Sequence, residues 1–211
     1  STSWWRQSTP RAEASTSIKR MFAPRPGTPR AATSKAGAAC DESVDGVVLG
    51  IDPGLTRCGY AIVQPGTTPR LVSLGVLTSS HHDDLPQRLA QLHADLERLF
   101  DEFSPSAVAV ERVFFQHNTR TAMSVGQASG IVLAMAATRG CRVVQYTPSQ
   151  VKAAVAGDGA ADKIAMQRMV QLRFGLRTLP TPADAADAAA LALCHLATEP
   201  FARSVAGAMA R

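Results

Sequence analysis

Residues 185–196 (AADAAALALCHL) constrain the fold most, because they predict a helix so rich in Ala and Leu that nearly every face is buried. Asp187 interrupts this helix, and a buried carboxylate is costly unless it is neutralised, paired or bound to a metal. Asp184 precedes it by one helical turn, which places both carboxylates on one face, about 60° apart around the axis. The helix therefore offers two oxygen ligands that point the same way.

Two further acids each end a short apolar run. Asp52 follows residues 47–51 (VVLGI), and Glu111 follows residues 107–110 (AVAV). Such runs are typical of central strands covered on both faces. If these strands are parallel neighbours, the two acids emerge side by side, where ligands of open α/β sheets usually bind.

The four acids together predict a metal site. Converging carboxylates repel one another and raise each other's pKa values unless a hard cation, Mg²⁺ or Mn²⁺, is bound. Two such ions, held about 3.5–4 Å apart, would activate a water and stabilise the leaving oxygen of an in-line phosphoryl displacement. The substrate would then be a phosphodiester.

Three of the acids also have an ordinary structural explanation. Asp52 begins an Asp-Pro-Gly turn, and Glu111 could pair with Arg112 at a strand end. Asp184 could be the N3 acid of a helix that a Thr-Pro pair begins as N-cap and N1. Asp187 has no such explanation, because it lies beyond the first turn of an apolar helix. Their joint occurrence is therefore more informative than any single position.

Apolar periodicity and turn signals predict an α/β domain with a five-stranded mixed sheet flanked by helices. Leucines recur at three- and four-residue steps over residues 85–103, with Asp95, Glu97 and Arg98 between them, which predicts an amphipathic helix. The predicted strands are 47–51, 59–63 and 71–78 as an antiparallel meander, then 107–113 and 141–147; the other helices are 118–138 with Asn118 as N-cap, a short one from Pro148, one from Asp162 and one from Thr181.

The charge is divided unevenly along the chain. The chain has 22 basic and 17 acidic residues, of which residues 1–40 hold seven bases and one acid. Residues 41–211 therefore hold 15 bases and 16 acids, a net charge of −1. We expect a disordered basic extension over residues 1–45, one domain over 46–200, and a C-terminal tail over 201–211.

The extension is compatible with an organellar transit peptide, but no secretory or membrane-spanning segment is visible, and we expect a soluble cytoplasmic protein. The four cysteines have no metal-ligand spacing and are expected to be free thiols.

A basic stretch, residues 112–183, carries nine bases against Asp158 and Asp162 and could face a polyanion. Within it Lys163 begins a helix after a Gly-Asp-Gly loop, where backbone N–H groups can meet phosphate. Lys152 lies in the same stretch. An ordinary surface position is the alternative explanation for each lysine.

Phe114 follows Glu111 closely and has two interpretations. The ordinary one is a core aromatic. Beside a phosphodiester site, however, and followed by polar residues that include Arg120, the ring would suit stacking on bases or wedging between them. Phe114 and Arg120 are therefore candidate DNA contacts.

Five motifs occur together and in a fixed order. They are GIDPGLTRCG at 50–59, VERVF at 110–114, SQVK at 149–152, ADK at 161–163 and ADAADA at 183–188. Over residues 46–198 the chain thereby resembles the RuvC family of bacterial Holliday-junction resolvases, the crossover junction endodeoxyribonucleases. The residues of several motifs are most similar to those of the actinobacterial members.

The resemblance implies a ribonuclease-H-like fold and a homodimer in which each subunit cuts one of two opposed strands of a four-way DNA junction. It implies that a Mg²⁺-activated water attacks phosphorus and leaves 5′-phosphate and 3′-hydroxyl ends, in DNA recombination and repair. RuvA and RuvB, which bind and migrate the junction, are the implied partners. The residues that match functional positions of the family are the metal-binding acids Asp52, Glu111, Asp184 and Asp187, the basic residues Lys152 and Lys163, and the aromatic Phe114. The first 45 residues depart from the family pattern.

Other functions remain open from the residues alone. A ribonuclease-H-like enzyme that cuts RNA in hybrids would use the same acids. Sugar kinases and actin-like ATPases share an Asp-Gly turn after their first strand, but no second phosphate loop or adenosine motif is visible here. A protein that only binds junctions is a third class. For a dimer interface we expect the helix over 118–138, where Gly126 and Gly130 permit close approach, although internal packing explains these glycines equally well.

Overall fold

The structure, a computed structural model, describes residues 46–113 and 119–209, with side chains described at 46–113 and 122–199. The expected basic extension, residues 1–45, lies outside the described residues. The elements in the described ranges are strands β1 (Val48–Asp52), β2 (Arg57–Gln64), β3 (Arg70–Thr78), β4 (Ala107–Glu111) and β5 (Arg142–Tyr146), and helices α1 (Leu85–Phe103), α2 (Thr119–Thr138), α3 (Pro148–Ala156), α4 (Lys163–Phe174) and α5 (Ala183–Met209).

The five strands form one mixed sheet in the order β3-β2-β1-β4-β5. The first three make the expected antiparallel meander, while β4 pairs parallel with both β1 and β5. The predicted fold class and the central positions of β1 and β4 are confirmed. The strand expected over 107–113 ends earlier, at Glu111; the N–H of Arg112 still donates to the carbonyl of Tyr146 at 2.8 Å, after which regular pairing stops.

Alternate residues of the central strands enter two separate cores. Val48, Ala61 and Val63 pack with α3, α4 and α5 on one face of the sheet. Leu49 and Ile51 pack with α1 and α2 on the other face. Because both faces of β1 are covered, its apolar run has no solvent side, and this explains the uninterrupted hydrophobic pattern of the sequence.

Helix α1 confirms the amphipathic pattern with one exception. Leu92, Leu96 and Leu99 are buried as expected. Asp95, which we placed on the solvent side, is 1% exposed. Arg98 donates to its Oδ1 at 2.5 Å and Gln91 to its Oδ2 at 3.1 Å, so the carboxylate is paired within its own helix rather than solvated.

Helix α5 begins later than expected and continues further. We expected Thr181 as N-cap and Pro182 as N1, but the helix starts at Ala183. The carbonyl of Pro182 accepts from the N–H of Ala186 at 3.3 Å, so Pro182 takes the N-cap position and Asp184 lies one place earlier than N3. The backbone then stays helical to Met209, past residue 200, where we expected the domain to end.

The described cysteines are free, as expected. Cys58, Cys141 and Cys194 are free thiols, and Cys194 with His195 is a buried core pair. Cys40 lies outside the described residues. Among the helices that are described, none is long and apolar enough to cross a membrane.

Candidate active site

Asp52 and Glu111 lie side by side at the carboxyl ends of β1 and β4. The parallel register pairs Ile51 with Val110, so the next residue of each strand is one of these acids. Their side chains share a hydrogen bond. The sequence-based alternative, a pair between Glu111 and Arg112, is not what the structure shows, because Arg112 is exposed and Glu111 faces Asp52 instead.

The two acids titrate together. Burial raises the pKa of Asp52 to about 7, and the neighbouring negative charges, of which Glu111 contributes most, act in the same direction. Burial also raises the pKa of Glu111, while the hydrogen bond from Asp52 lowers it. Below about pH 7 and without a cation, Asp52 therefore holds the proton and donates it to the Glu111 carboxylate.

Asp184 and Asp187 come from the first two turns of α5 and face the same site. Both raise the pKa of Asp52 through their negative charge, so all four carboxylates share one electrostatic field. The helix around them is buried at residues 185–186 and 188–195, as the sequence predicted. The side chain of Asp187 is 34% exposed, because it points out of the apolar core into the site.

Helix α5 is positioned by two glycines of the sheet. A Cβ at Gly50 would be 2.0 Å from the carbonyl oxygen of Ala188, and a Cβ at Gly59 would be 2.0 Å from the carbonyl oxygen of Asp184. Only glycine permits this approach of helix backbone to strand backbone. Sequence reasoning missed this role; the glycines of the GIDPGLTRCG segment were its signal.

Lys163 is the first residue of α4 and reaches the acids. Its Nζ is 3.3 Å from Oδ2 of Asp187, and its positive charge lowers the pKa of Glu111. Asp162 caps the helix by accepting from the N–H of Ala165 at 2.7 Å, which fixes where Lys163 leaves the backbone. Lys163 is thus an exposed lysine, with 59% of its side chain accessible, that forms an ion pair with one of the four acids.

Lys152 and Lys163 both line a cavity of about 230 Å³. Glu111 and Asp187 line the same cavity, together with apolar groups of α3, α4 and α5. Helix α3 is held by a capping box, in which Thr147 and Gln150 satisfy each other's backbone N–H groups. The two lysines thus border the acid cluster on the side of α3 and α4.

A basic residue that sequence reasoning did not single out also joins the site. Arg57, the first residue of β2, donates from Nε to Oδ2 of Asp184 at 2.7 Å. Arg57 lies in the GIDPGLTRCG motif, but only the packing of α5 on β2 shows that it meets an acid. Phe114 lies outside the described residues and the side chain of Arg120 is not described, so their assignment as DNA contacts stays a prediction.

The carboxylates fit a hard divalent cation by donor type and charge. Each supplies oxygen ligands, and the raised pKa of Asp52 results from burial first and then from the neighbouring negative charges, which a cation would neutralise. In the part of the chain that is described, no three histidine, cysteine, aspartate or glutamate side chains are already arranged to hold a metal ion together. Arg57 and Lys163 engage the two aspartates of α5 instead, so a metal must take these oxygens from them.

The chain was compared with known proteins. The family model described as crossover junction endodeoxyribonuclease RuvC matches residues 48–195. The RuvC protein of Renibacterium salmoninarum is 52% identical over 150 residues, covering 70% of this chain and 78% of that protein. The RuvC protein of Salinispora arenicola is 52% identical over 151 residues, covering 71% and 86%. The solved structure of T. thermophilus RuvC in complex with Holliday junction substrate matches with a TM-score of 0.71 and 38% identity, covering 74% of this chain and 96% of that one.

Proposed function

The chain belongs to the RuvC family of crossover junction endodeoxyribonucleases, and on this premise we propose that it resolves Holliday junctions by hydrolysing one phosphodiester in each of two opposed strands. The observation that carries the proposal is the convergence of four carboxylates from β1, β4 and α5 beside Lys152 and Lys163. Such a site suits attack on phosphorus in a polyanionic substrate. The expected products are 5′-phosphate and 3′-hydroxyl ends, which can be religated in recombination and repair.

The acids Asp52, Glu111, Asp184 and Asp187 would hold two Mg²⁺ ions, with Mn²⁺ as the alternative. When bound, divalent ions supply an activated water and neutralise charge on the phosphate in such sites. Asp52 must lose its proton before it can serve as a ligand, because below about pH 7 it is the donor to Glu111.

Lys163 is proposed as a catalytic residue. Its ammonium is 3.3 Å from Asp187 in the lining of the cavity, where it would orient that carboxylate and stabilise negative charge developing on a phosphate oxygen. Lys152, which lines the same cavity, would hold a neighbouring backbone phosphate. Phe114 and Arg120 are proposed to contact DNA near the crossover, on the strength of the family motif and the basic stretch alone.

The homodimer would form through α2. This helix exposes an uncharged stripe that runs along one side: Met123 is 62% exposed, and Gly126, Gly130 and Ala134 are exposed below it. No described atom lies within 4 Å of a Cβ built at either glycine, so packing against the described part of the subunit does not account for these glycines. A second copy of the helix could approach closely along this stripe, and two subunits would present two active sites to the two opposed strands.

Three assignments follow from the family rather than from the geometry. The partners would be a four-way DNA junction and the branch-migration proteins RuvA and RuvB. The location would be the cytoplasm, and the nuclease domain would span residues 46–200. The basic stretch 112–183 supports the DNA partner through its charge.

One cleavage experiment tests the function. A synthetic four-way junction, linear duplex and RNA–DNA hybrid are incubated with Mg²⁺ or chelator, using wild type, Asp187→Asn and the exposed control Asp83→Asn. We expect Mg²⁺-dependent paired nicks confined to the junction, abolished by Asp187→Asn while junction binding persists, and unchanged in the control. Cleavage of hybrid without junction preference would assign a ribonuclease H activity instead. No cleavage of any substrate would leave a junction-binding protein.

A further inference from the structure

Arg57 contacts Asp184, one of the four acids. The strand that carries Arg57 also holds the backbone of Asp184 in place. The Nε of Arg57 is 2.7 Å from Oδ2 of Asp184. Gly59, two residues further along β2, lies against the backbone carbonyl of Asp184. The same strand therefore fixes the backbone of Asp184 and engages its carboxylate.

The turn that carries Arg57 is tied to two other elements. Ser79, after β3, donates from Oγ to the carbonyl of Leu55 at 2.6 Å. Arg88 of α1 donates to Oγ1 of Thr56 at 2.6 Å and to Oγ of Ser79 at 3.1 Å. Because the backbone is held at this turn, the freedom left to Arg57 is rotation of its own side chain.

The ion pair with Arg57 competes with metal binding. A divalent cation bound by Asp184 would share this carboxylate with the guanidinium of Arg57, and the two positive charges would repel each other even if each took its own oxygen. The Arg57 side chain is 48% exposed, and ion pairs at such positions are weak. A doubly charged ion held by several carboxylates would therefore displace the guanidinium without unfolding any part of the turn.

We propose that Arg57 is an exchangeable counter-ion that neutralises Asp184 before metal binds and transfers to a DNA backbone phosphate when the metal takes Asp184. The exchange keeps both charges matched, since the metal replaces the guanidinium at the carboxylate and the guanidinium meets a phosphate. Arginine suits the second role, because its planar fork binds phosphate with two parallel hydrogen bonds. The phosphate step rests on the proposed function.

The first test measures metal binding without DNA. Mn²⁺ is titrated into wild type, Arg57→Gln and Arg57→Lys, and free Mn²⁺ is followed by electron paramagnetic resonance. Removing the competing cation should tighten the weakest Mn²⁺ site by about two- to five-fold in Arg57→Gln, whereas Arg57→Lys should stay close to wild type. The matched control is Arg70→Gln, at the start of β3, where the guanidinium bonds Gln64 at the end of β2. Unchanged or weaker Mn²⁺ binding in Arg57→Gln would overturn the proposal.

The second test measures how junction affinity depends on salt. Binding is titrated against KCl in Ca²⁺, with the strands checked to be intact, and again in chelator. Loss of one phosphate contact lowers the slope of log affinity against log salt by about 0.9. We expect this decrease for Arg57→Gln in Ca²⁺. In chelator Arg57 stays paired with Asp184, so the substitution should leave the slope unchanged. Equal slopes in Ca²⁺, or the same change in both conditions, would contradict the exchange.

The two tests separate this inference from the proposed function. If the wild type cuts no junction, the proposed function fails, yet the Mn²⁺ titration still measures the competition at Asp184. Thermal unfolding of each variant shows whether it is folded, and Arg57→Lys supplies a second variant that keeps the positive charge.

Discussion

Gly59 and Asp184 are in backbone contact: a methyl group added at Gly59 would be 2.0 Å from the carbonyl oxygen of Asp184. Gly50 makes the same contact with Ala188, one turn further along α5. No side chain separates helix from sheet at these two points. The absence of a Cβ at these two glycines therefore determines the distance between α5 and the sheet. The same distance determines where the two acids of α5 lie relative to Asp52.

Gly59→Ala is expected to damage the site more than the fold. The added methyl must push α5 away from β2, and overpacking of this kind costs about 1–3 kcal/mol. Because Asp184 moves directly, cleavage should fall by at least tenfold at saturating Mg²⁺, which partial unfolding alone would not produce. Urea unfolding and single-turnover cleavage measure the two effects. Gly66→Ala is the control, since its nearest contact would be 3.6 Å away; wild-type cleavage by Gly59→Ala would show that α5 can shift harmlessly.

Three of the four acids stand out in the sequence because each interrupts a strong pattern. Asp52 and Glu111 end apolar runs that are adjacent parallel strands, and Asp187 breaks a buried helix. A charge at a position where the pattern demands an apolar residue indicates a candidate site without any knowledge of contacts. The central positions of β1 and β4 followed from the same runs, since only central strands are apolar on both faces.

The remaining features depend on packing between distant segments. Arg57 was not singled out from the sequence, because only the packing of α5 on β2 brings it to an acid, and the role of the glycines is visible only in their backbone contact with the helix. Asp95 was assigned to the solvent because periodicity treats every charge as exposed, whereas Arg98 and Gln91 satisfy it in the interior. Phe114 stays a prediction from its motif.

Metal binding is expected to release a proton below about pH 7. Asp52 has a pKa of about 7 in the metal-free protein because of burial and the adjacent carboxylates. A metal and a proton compete for this oxygen, so affinity should rise from pH 5 to pH 7 and level off above it. Calorimetric titration of Mg²⁺ in two buffers of different ionisation enthalpy counts the protons. Asp52→Asn should release none from this position, and an absence of proton release by wild type at pH 6 would be incompatible with the raised pKa.

The same raised pKa predicts that Asp52 destabilises the metal-free fold at neutral pH. The ordinary pKa of an aspartate is 3.8, so between pH 4 and 7 the folded chain holds a proton that the unfolded chain has lost. Stability therefore falls as pH rises through this window, and the full penalty is present above pH 7. Asp52→Asn should gain about 1–3 kcal/mol relative to wild type at pH 8 in chelator, and much less at pH 4. Urea unfolding at both pH values measures the gain, and Asp83→Asn, at an exposed site, should gain nothing at either.

Lys163→Gln should reduce cleavage far more than binding. Its ammonium lies 3.3 Å from Asp187, so its loss leaves that carboxylate without its nearby cation and removes a donor from the cavity. Loss of one preorganised donor typically costs about 10²-fold in rate. Single-turnover cleavage and junction affinity are compared with those of Arg173→Gln, at the far end of α4. If affinity and rate fall equally, Lys163 binds a phosphate but does not contribute to the chemical step.

The exposed stripe of α2 predicts that Gly130→Glu breaks the dimer without harming the subunit. A Cβ at Gly130 meets no described atom within 4 Å, and replacing a glycine within a helix favours the helix by itself. A carboxylate buried at the centre of a close helix–helix contact would be unpaired there and is strongly disfavoured. Sedimentation should give the mass of one chain, with an unchanged unfolding midpoint.

Junctions should then be nicked on one strand at a time, since paired cutting needs two sites held together. Leu172→Glu, at a 72% exposed position on α4, is the matched control and should remain dimeric. If Gly130→Glu is dimeric and cuts in pairs, the interface lies on another face.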